Sequence, residues 1–167
     1  MPQAILTDVT GAGAEPLATG PVTQDVCNTT TTAIPLGSLV AINAPITVNS
    51  TAFGVAASSA TATTAPLDIG VVVAGASPGS PIAAAGSAGA VGGTGQVATH
   101  GHCRALVDSS VSPTVVGHRL IRSATVAGAL ADSGVTTAAA GLNYGVVLEA
   151  VTIASGTALC NIWFEKT

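Results

Sequence analysis

Glycine and proline set the first limit on how this chain can fold. There are 20 Gly and 9 Pro among 167 residues, spaced so that almost every window long enough for a helix is broken by one. An interior Gly costs a helix about 1 kcal/mol and an interior Pro about 3 kcal/mol, so long helices are excluded. Only 58–65 and 139–142 leave room for a helical turn. Between the breaks the chain is rich in Thr and Val, which suit a pleated, half-buried surface. From Ile34 onward, β-favouring segments at 36–42, 46–55, 69–73, 96–107, 115–121, 144–153 and 158–164 alternate with clusters of Gly, Pro, Asn and Ser. The pattern predicts an all-β protein, a small β-barrel or β-sandwich.

Two regions stand apart from that pattern. Residues 1–33 mix Pro, Gly and Thr with no sustained period of 2 or 3.6, and read as an extended N-terminal arm ahead of a β-domain at 34–167. The arm's one apolar patch is Ile5, Leu6 and Val9, with nothing local to cover it, which makes these three the candidate contact residues with a partner or a second subunit. The Gly/Ala/Ser-rich tract 74–95 buries too little to repay its ordering entropy and reads as a surface loop.

Strand faces can be assigned where apolar and polar residues alternate. Cys160, Ile162 and Phe164 alternate with Asn161, Trp163 and Glu165, so the first three point inward. In 96–108 the spacing places Val97, Thr99, Gly101, Cys103, Ala105 and Val107 on one face and His100, His102 and Arg104 together on the other.

Composition bounds the partners. The 48% apolar content comes largely from Ala and Val, with two Phe, one Trp and one Tyr for aromatic bulk, so the core of a single domain is thin. A weak core is commonly relieved by burying surface in an oligomer, and self-association is the expectation. Four basic against eight acidic residues cannot neutralise a run of phosphates, which argues against direct nucleic-acid binding. Residues 1–18 lack a basic region and a continuous apolar region, so no signal peptide is expected. Nor does any stretch offer 18 consecutive apolar residues for a membrane-spanning helix. Three widely spaced cysteines, Cys27, Cys103 and Cys160, fit neither a disulfide framework nor a Cys-x-x-Cys clip and read as buried free thiols.

The chemistry-bearing motifs are weak. Gly75-Ala76-Ser77-Pro78-Gly79 has the spacing of a nucleophile elbow, but the residue after the nucleophile must donate a backbone N–H to the oxyanion, and Pro78 has none. His100 and His102 could supply two zinc ligands; a site needs three or four, and Cys103 points to the opposite face. The Gly-rich run 86–95 lacks the lysine of a phosphate-binding loop. Asn28-Thr29-Thr30 and Asn49-Ser50-Thr51 fit the N-glycosylation sequence, but without a signal peptide they have no route to it. No catalytic residue, metal or cofactor is predicted.

Several stretches carry a resemblance: Cys103-Arg-Ala-Leu-Val-Asp108, Val116-Gly-His-Arg-Leu120-Ile-Arg-Ser123, Val126-Ala-Gly-Ala-Leu130 and Gly141-Leu-Asn-Tyr-Gly-Val-Val-Leu-Glu-Ala150, with Ile34-Pro-Leu-Gly-Ser-Leu-Val-Ala-Ile42 as an opening strand. Over about 34–167 the chain resembles the capsid decoration, or cement, proteins of tailed bacteriophages. The resemblance implies a β-barrel or β-sandwich subunit, usually a homotrimer. It would be made in the host cytoplasm and bound to the major capsid protein on the outer surface of the virion, where capsid subunits meet. The alternative is a phage tail or baseplate module, or a carbohydrate-binding adhesin. Sugar sites usually need aromatic stacking platforms, and this chain offers few.

Overall fold

A computed structural model describes residues 20–44, 52–60, 67–137 and 143–167. Among them there is no helix, and the all-β expectation holds. The strands are β1 (Val22–Asn28), β2 (Leu39–Ala44), β3 (Phe53–Ala57), β4 (Asp68–Ala74), β5 (Thr94–Asp108), β6 (Leu120–Arg122), β7 (Leu130–Asp132), β8 (Val146–Val147) and β9 (Thr157–Phe164). They form one mixed sheet whose pairings run in two closed circuits sharing β5.

In the first circuit β5 is flanked by β1 and β4, both of which pair with Val97. β4 continues to β2, β2 to β3, and β3 runs parallel to β1, closing the loop. Each strand sends one valine inward: Val26, Val40, Val55, Val72 and Val97 are all buried. Ile34 and Ile82 join the same core and are bridged to one another, Ile34 N–H to Ile82 O and Ile82 N–H to Ile34 O, both at 2.9 Å. A circuit of five strands is narrow, and one small β-branched side chain per strand suits its interior. Gly95 makes room for this packing, because a Cβ there would lie 2.5 Å from Ala74 O and 2.6 Å from Ile82 Cγ1.

The second circuit uses the other half of β5. Residues 101–108 pair with β9, β9 with β8, and Val107 runs parallel to Leu130 of β7, which pairs with β6. An Arg119–Val146 bridge returns the chain to β8. The core here holds Cys103, Ala105, Val107, Leu120, Leu130, Tyr144, Ile162 and Phe164.

Three strands bury consecutive residues in different cores. Leu39, Val71 and Ala98 belong to the second core, whereas Val40, Val72 and Val97 belong to the first. Strands covered on both faces read as continuous apolar runs rather than alternating ones. This corrects the single-face reading of 97–107: Val97 lies in a different core from Cys103, Ala105 and Val107. The face changes where the β1–β5 register slips at Val22/Thr23 and where Gly101 adopts φ +103, a conformation few other residues tolerate.

Other expectations need correction. Residues 22–28, assigned to the arm, form β1, with Val26 and Cys27 buried and Gln24 and Asp25 more open. The strand has no alternation of its own and exists because it closes the circuit between β3 and β5. Ile5, Leu6 and Val9 lie outside the described residues, as do 139–142 and 61–65 of the two stretches with room for a helical turn, while 58–60 are not helical. The tract 74–95 is more than a surface loop. Ile82 and Ala85 are buried, and Ala85 and Gly92 donate backbone bonds to Thr30 O at 2.7 Å and Asn28 O at 2.8 Å. Its small residues permit that approach: a Cβ on Gly92 would lie 2.6 Å from Ala85 N.

Candidate functional site

The outer face of β5 and β9 gathers the residues the sequence singled out. His102 lies opposite Trp163 and Arg104 opposite Asn161 in the ladder, so the four side chains share a face. His100, His102 and Arg104 are exposed, as expected. Trp163 is 40% exposed, and the His100 ring meets it edge-on with centroids 5.5 Å apart. Beside this face runs a groove of about 410 Å³ with an apolar floor including Leu36, Val73 and Leu159, and a rim of His102, Arg104 and Asn161. Pro21, at the entry to β1, lines the same groove.

Gly37 shapes the groove's floor. Its φ is +78, and a Cβ there would meet Leu159 Cδ2 at 2.5 Å and Leu106 N at 2.9 Å. Its carbonyl accepts Leu106 N–H and its N–H donates to Val72 O, both at 2.8 Å, so one residue links the two circuits beneath the groove.

The charges are unevenly committed. Arg119 pairs with Glu165 at 2.8 Å, and Lys166 Nζ donates to the backbone oxygen of Asp68 at 2.9 Å. Arg104 has no hydrogen-bond or ion-pair partner among the described residues. The open Arg104 guanidinium and the His102 imidazole beside an apolar groove suit an acidic, partly apolar segment.

The remaining candidates sit apart. Ser77 lies in an exposed turn whose hydrogen bonds run to Ser80: Ser77 N–H to Ser80 Oγ at 3.1 Å and Ser80 Oγ–H to Ser77 O at 2.7 Å. Among the described residues no group of three or more His, Cys, Asp or Glu is placed to hold a metal ion. The three cysteines are buried and unpaired, as read from their spacing. Burial pushes the Cys103 thiol up to about 12 and raises Cys27 and Cys160 as well, which suppresses the reactive thiolate.

Sequence reasoning missed the buried polar groups. Tyr144 donates its hydroxyl to Asp68 Oδ2, tying the start of β4 to the segment before β8. Burial, then that bond, holds the Tyr144 hydroxyl above its ordinary range. Asp132 accepts His118 Nδ1 at 2.8 Å, Val115 N–H at 2.9 Å and Gly134 N–H at 2.8 Å. Asp108 accepts Ser110 N–H at 2.9 Å and the Ser123 hydroxyl at 2.6 Å. Asp108 and Asp132 share a local signal, an Asp-Ser step at a strand end whose carboxylate takes the N–H two residues on.

Comparison with known protein families gives no matching family model, and comparison with curated proteins gives no match either.

Proposed function

We propose that this chain is a structural virion protein that binds the outside of a tailed-bacteriophage head shell and strengthens contacts between capsid subunits. The observation that supports the reading is a set of exposed aliphatic side chains on the second circuit. Val115, Val116, Val135 and Leu148 are 42–58% exposed. They lie close together: Val115 N–H bonds to Asp132, Gly117 N–H to Val147 O and Arg119 N–H to Val135 O. Aliphatic side chains left open at neighbouring positions mark a surface made to be covered. The resemblance to decoration proteins runs through the same place, since Val116 opens its hairpin segment and Leu120 and Ser123, within it, are buried.

The proposed partners are the major capsid protein and two further copies of the chain. Three weak contacts made by one trimer add up to firm attachment, because the second and third become intramolecular once the first forms. Ile5, Leu6 and Val9 belong to the proposal as further contact residues. A second reading, a carbohydrate-binding tail or adhesin module, draws support from the exposed Trp163 ring.

The test is binding to phage heads stripped of this protein. Val116→Glu and Leu148→Glu, each exposed and so without cost to the core, are expected to weaken attachment at least about tenfold, a charge desolvated in an apolar contact costing more than 1.4 kcal/mol. Unchanged binding by both variants sinks the assignment of this surface.

A further inference from the structure

We propose that the groove beside β5 and β9 takes a short, extended, acidic segment of a partner protein, which adds to the open edge of β5 as a further strand with a carboxylate beside Arg104. The proposal does not depend on the capsid reading. It rests on where the backbone of β5 points, on the ends and floor of the groove, and on charge.

An antiparallel ladder alternates residue pairs that exchange hydrogen bonds with pairs whose N–H and C=O point outward. Leu106, paired with Leu159, is of the outward kind, since its N–H leaves β9 and donates to Gly37 O at 2.8 Å. Two and four residues back, Arg104 opposite Asn161 and His102 opposite Trp163 are therefore outward pairs as well. The β9 side agrees: Asn161 donates its N–H to Glu149 Oε2 at 3.1 Å and accepts Leu148 N–H at 2.9 Å, both away from β5. The N–H and C=O of His102 and Arg104 thus face away from β9, toward the side where Gly37 lines the groove with them. No strand among the described residues pairs with them there. Backbone donors and acceptors left open in strand register are a template on which an extended peptide pairs.

The groove fits a segment of that kind. Pro21 bounds it at one end, where a Cβ on Gly101 would lie 3.2 Å from Pro21 Cα, and Gly37 bounds it at the other. Between them, His102 to Leu106 spans roughly 13 Å of strand, room for about four extended residues. Leu36, Val73 and Leu159 offer an apolar floor that would cover side chains otherwise surrounded by water. The charge is one-sided: among the described residues no Asp or Glu lines the groove, and Arg104 has no hydrogen-bond or ion-pair partner. Alternate side chains of an extended peptide leave on opposite faces, so one set can present a carboxylate to Arg104 while the other lies on the floor.

Fluorescence anisotropy with the full-length chain tests this. The probe is a fluorescein-labelled, acetylated hexapeptide of alternating Val and Glu, and the same peptide with Lys in place of Glu controls for charge. The acidic probe is expected to bind saturably and at least about tenfold more tightly than the basic one, which sets like charges together at Arg104. Arg104→Glu, at an exposed position, is expected to weaken the acidic probe about fivefold, as for loss of an exposed ion pair, and to strengthen the basic one. N-methylation of one alternate set of peptide amides, the set facing β5, is expected to abolish binding, whereas methylation of the other set leaves it in place. No saturable binding of the acidic probe overturns the proposal, whether the groove is closed to peptides or already filled by another part of the chain. So do equal binding of the two probes, an affinity indifferent to Arg104→Glu, or binding that survives both methylations and so uses no strand pairing.

Discussion

Replacing Tyr144 with Phe removes one oxygen from the contact that ties the two circuits together. Tyr144 is 1% exposed and Asp68 3%, and the tyrosine hydroxyl donates to Asp68 Oδ2. The other oxygen, Oδ1, has no hydrogen-bond partner among the described residues, so Tyr144 is the carboxylate's one side-chain donor there. A hydrogen bond to a charged group contributes about 1.5–3 kcal/mol, and a buried acceptor left unmatched adds to the loss. The Lys166 ammonium, bonded to the Asp68 backbone, offsets part of it. The expected destabilisation of Tyr144→Phe is therefore about 2–3 kcal/mol. For a domain of this size that lowers Tm by about 4–12 °C. Urea and thermal unfolding followed by far-UV circular dichroism measure it, with Asp68→Ala and the double variant completing a cycle. The coupling in that cycle should reach about 1 kcal/mol or more. A Tyr144→Phe protein within about 0.5 kcal/mol of wild type, or an additive cycle, refutes the reasoning.

Gly145→Ala should fold poorly, losing more than about 3 kcal/mol in urea unfolding, because Gly145 has φ +123 and a Cβ there would run into the Trp163 carbonyl. Burial alone would raise the Asp108 pKa, but hydrogen bonds from Ser110, Ser123 and Thr125 outweigh it and hold the carboxyl below its usual range. With the folded value below the unfolded one, Asp108 contributes stability above the unfolded carboxylate pKa and loses it as pH falls through the folded one, so Asp108→Asn should flatten the acid limb of a stability–pH curve. All three thiols should react with a disulfide reagent at pH 8 only as fast as the protein opens, and one fast thiol would contradict their burial. Sedimentation at micromolar concentration should give about three times the 15.9 kDa chain mass, and a monomer alone would count against the trimer.

How much could be read from the sequence depended on what covers each strand. β9 has one wet face, so Cys160, Ile162 and Phe164 could be assigned inward from their spacing. The same held for His102 and Arg104 in the distal half of β5. It failed in the proximal half, where Val97 and Ala98 are both buried in different cores and alternation carries no signal. β1 was illegible because its order comes from strands on both edges, Val26 facing Phe53 and Gly95, rather than from its own composition. The Ala/Gly tract misled because small residues were taken as poor core, whereas here they let backbones approach closely enough to bond, as Gly93 N–H does to Ala83 O at 3.0 Å. Of the candidate site, the face that carries His102 and Arg104 was legible from period-2 spacing. The groove was not, since it joins Pro21 and Leu36 to Arg104 and Leu159, residues distant along the chain. The Asp68–Tyr144 pair, 76 residues apart, left no local trace.

The position and number of copies on the virion test the account most directly. Localisation of the chain on purified particles, by cryo-electron microscopy and quantitative mass spectrometry, should find many copies on the outside of the head, in threefold groups between capsid subunits. A few copies confined to the tail tip or baseplate, or none on the particle, would contradict it.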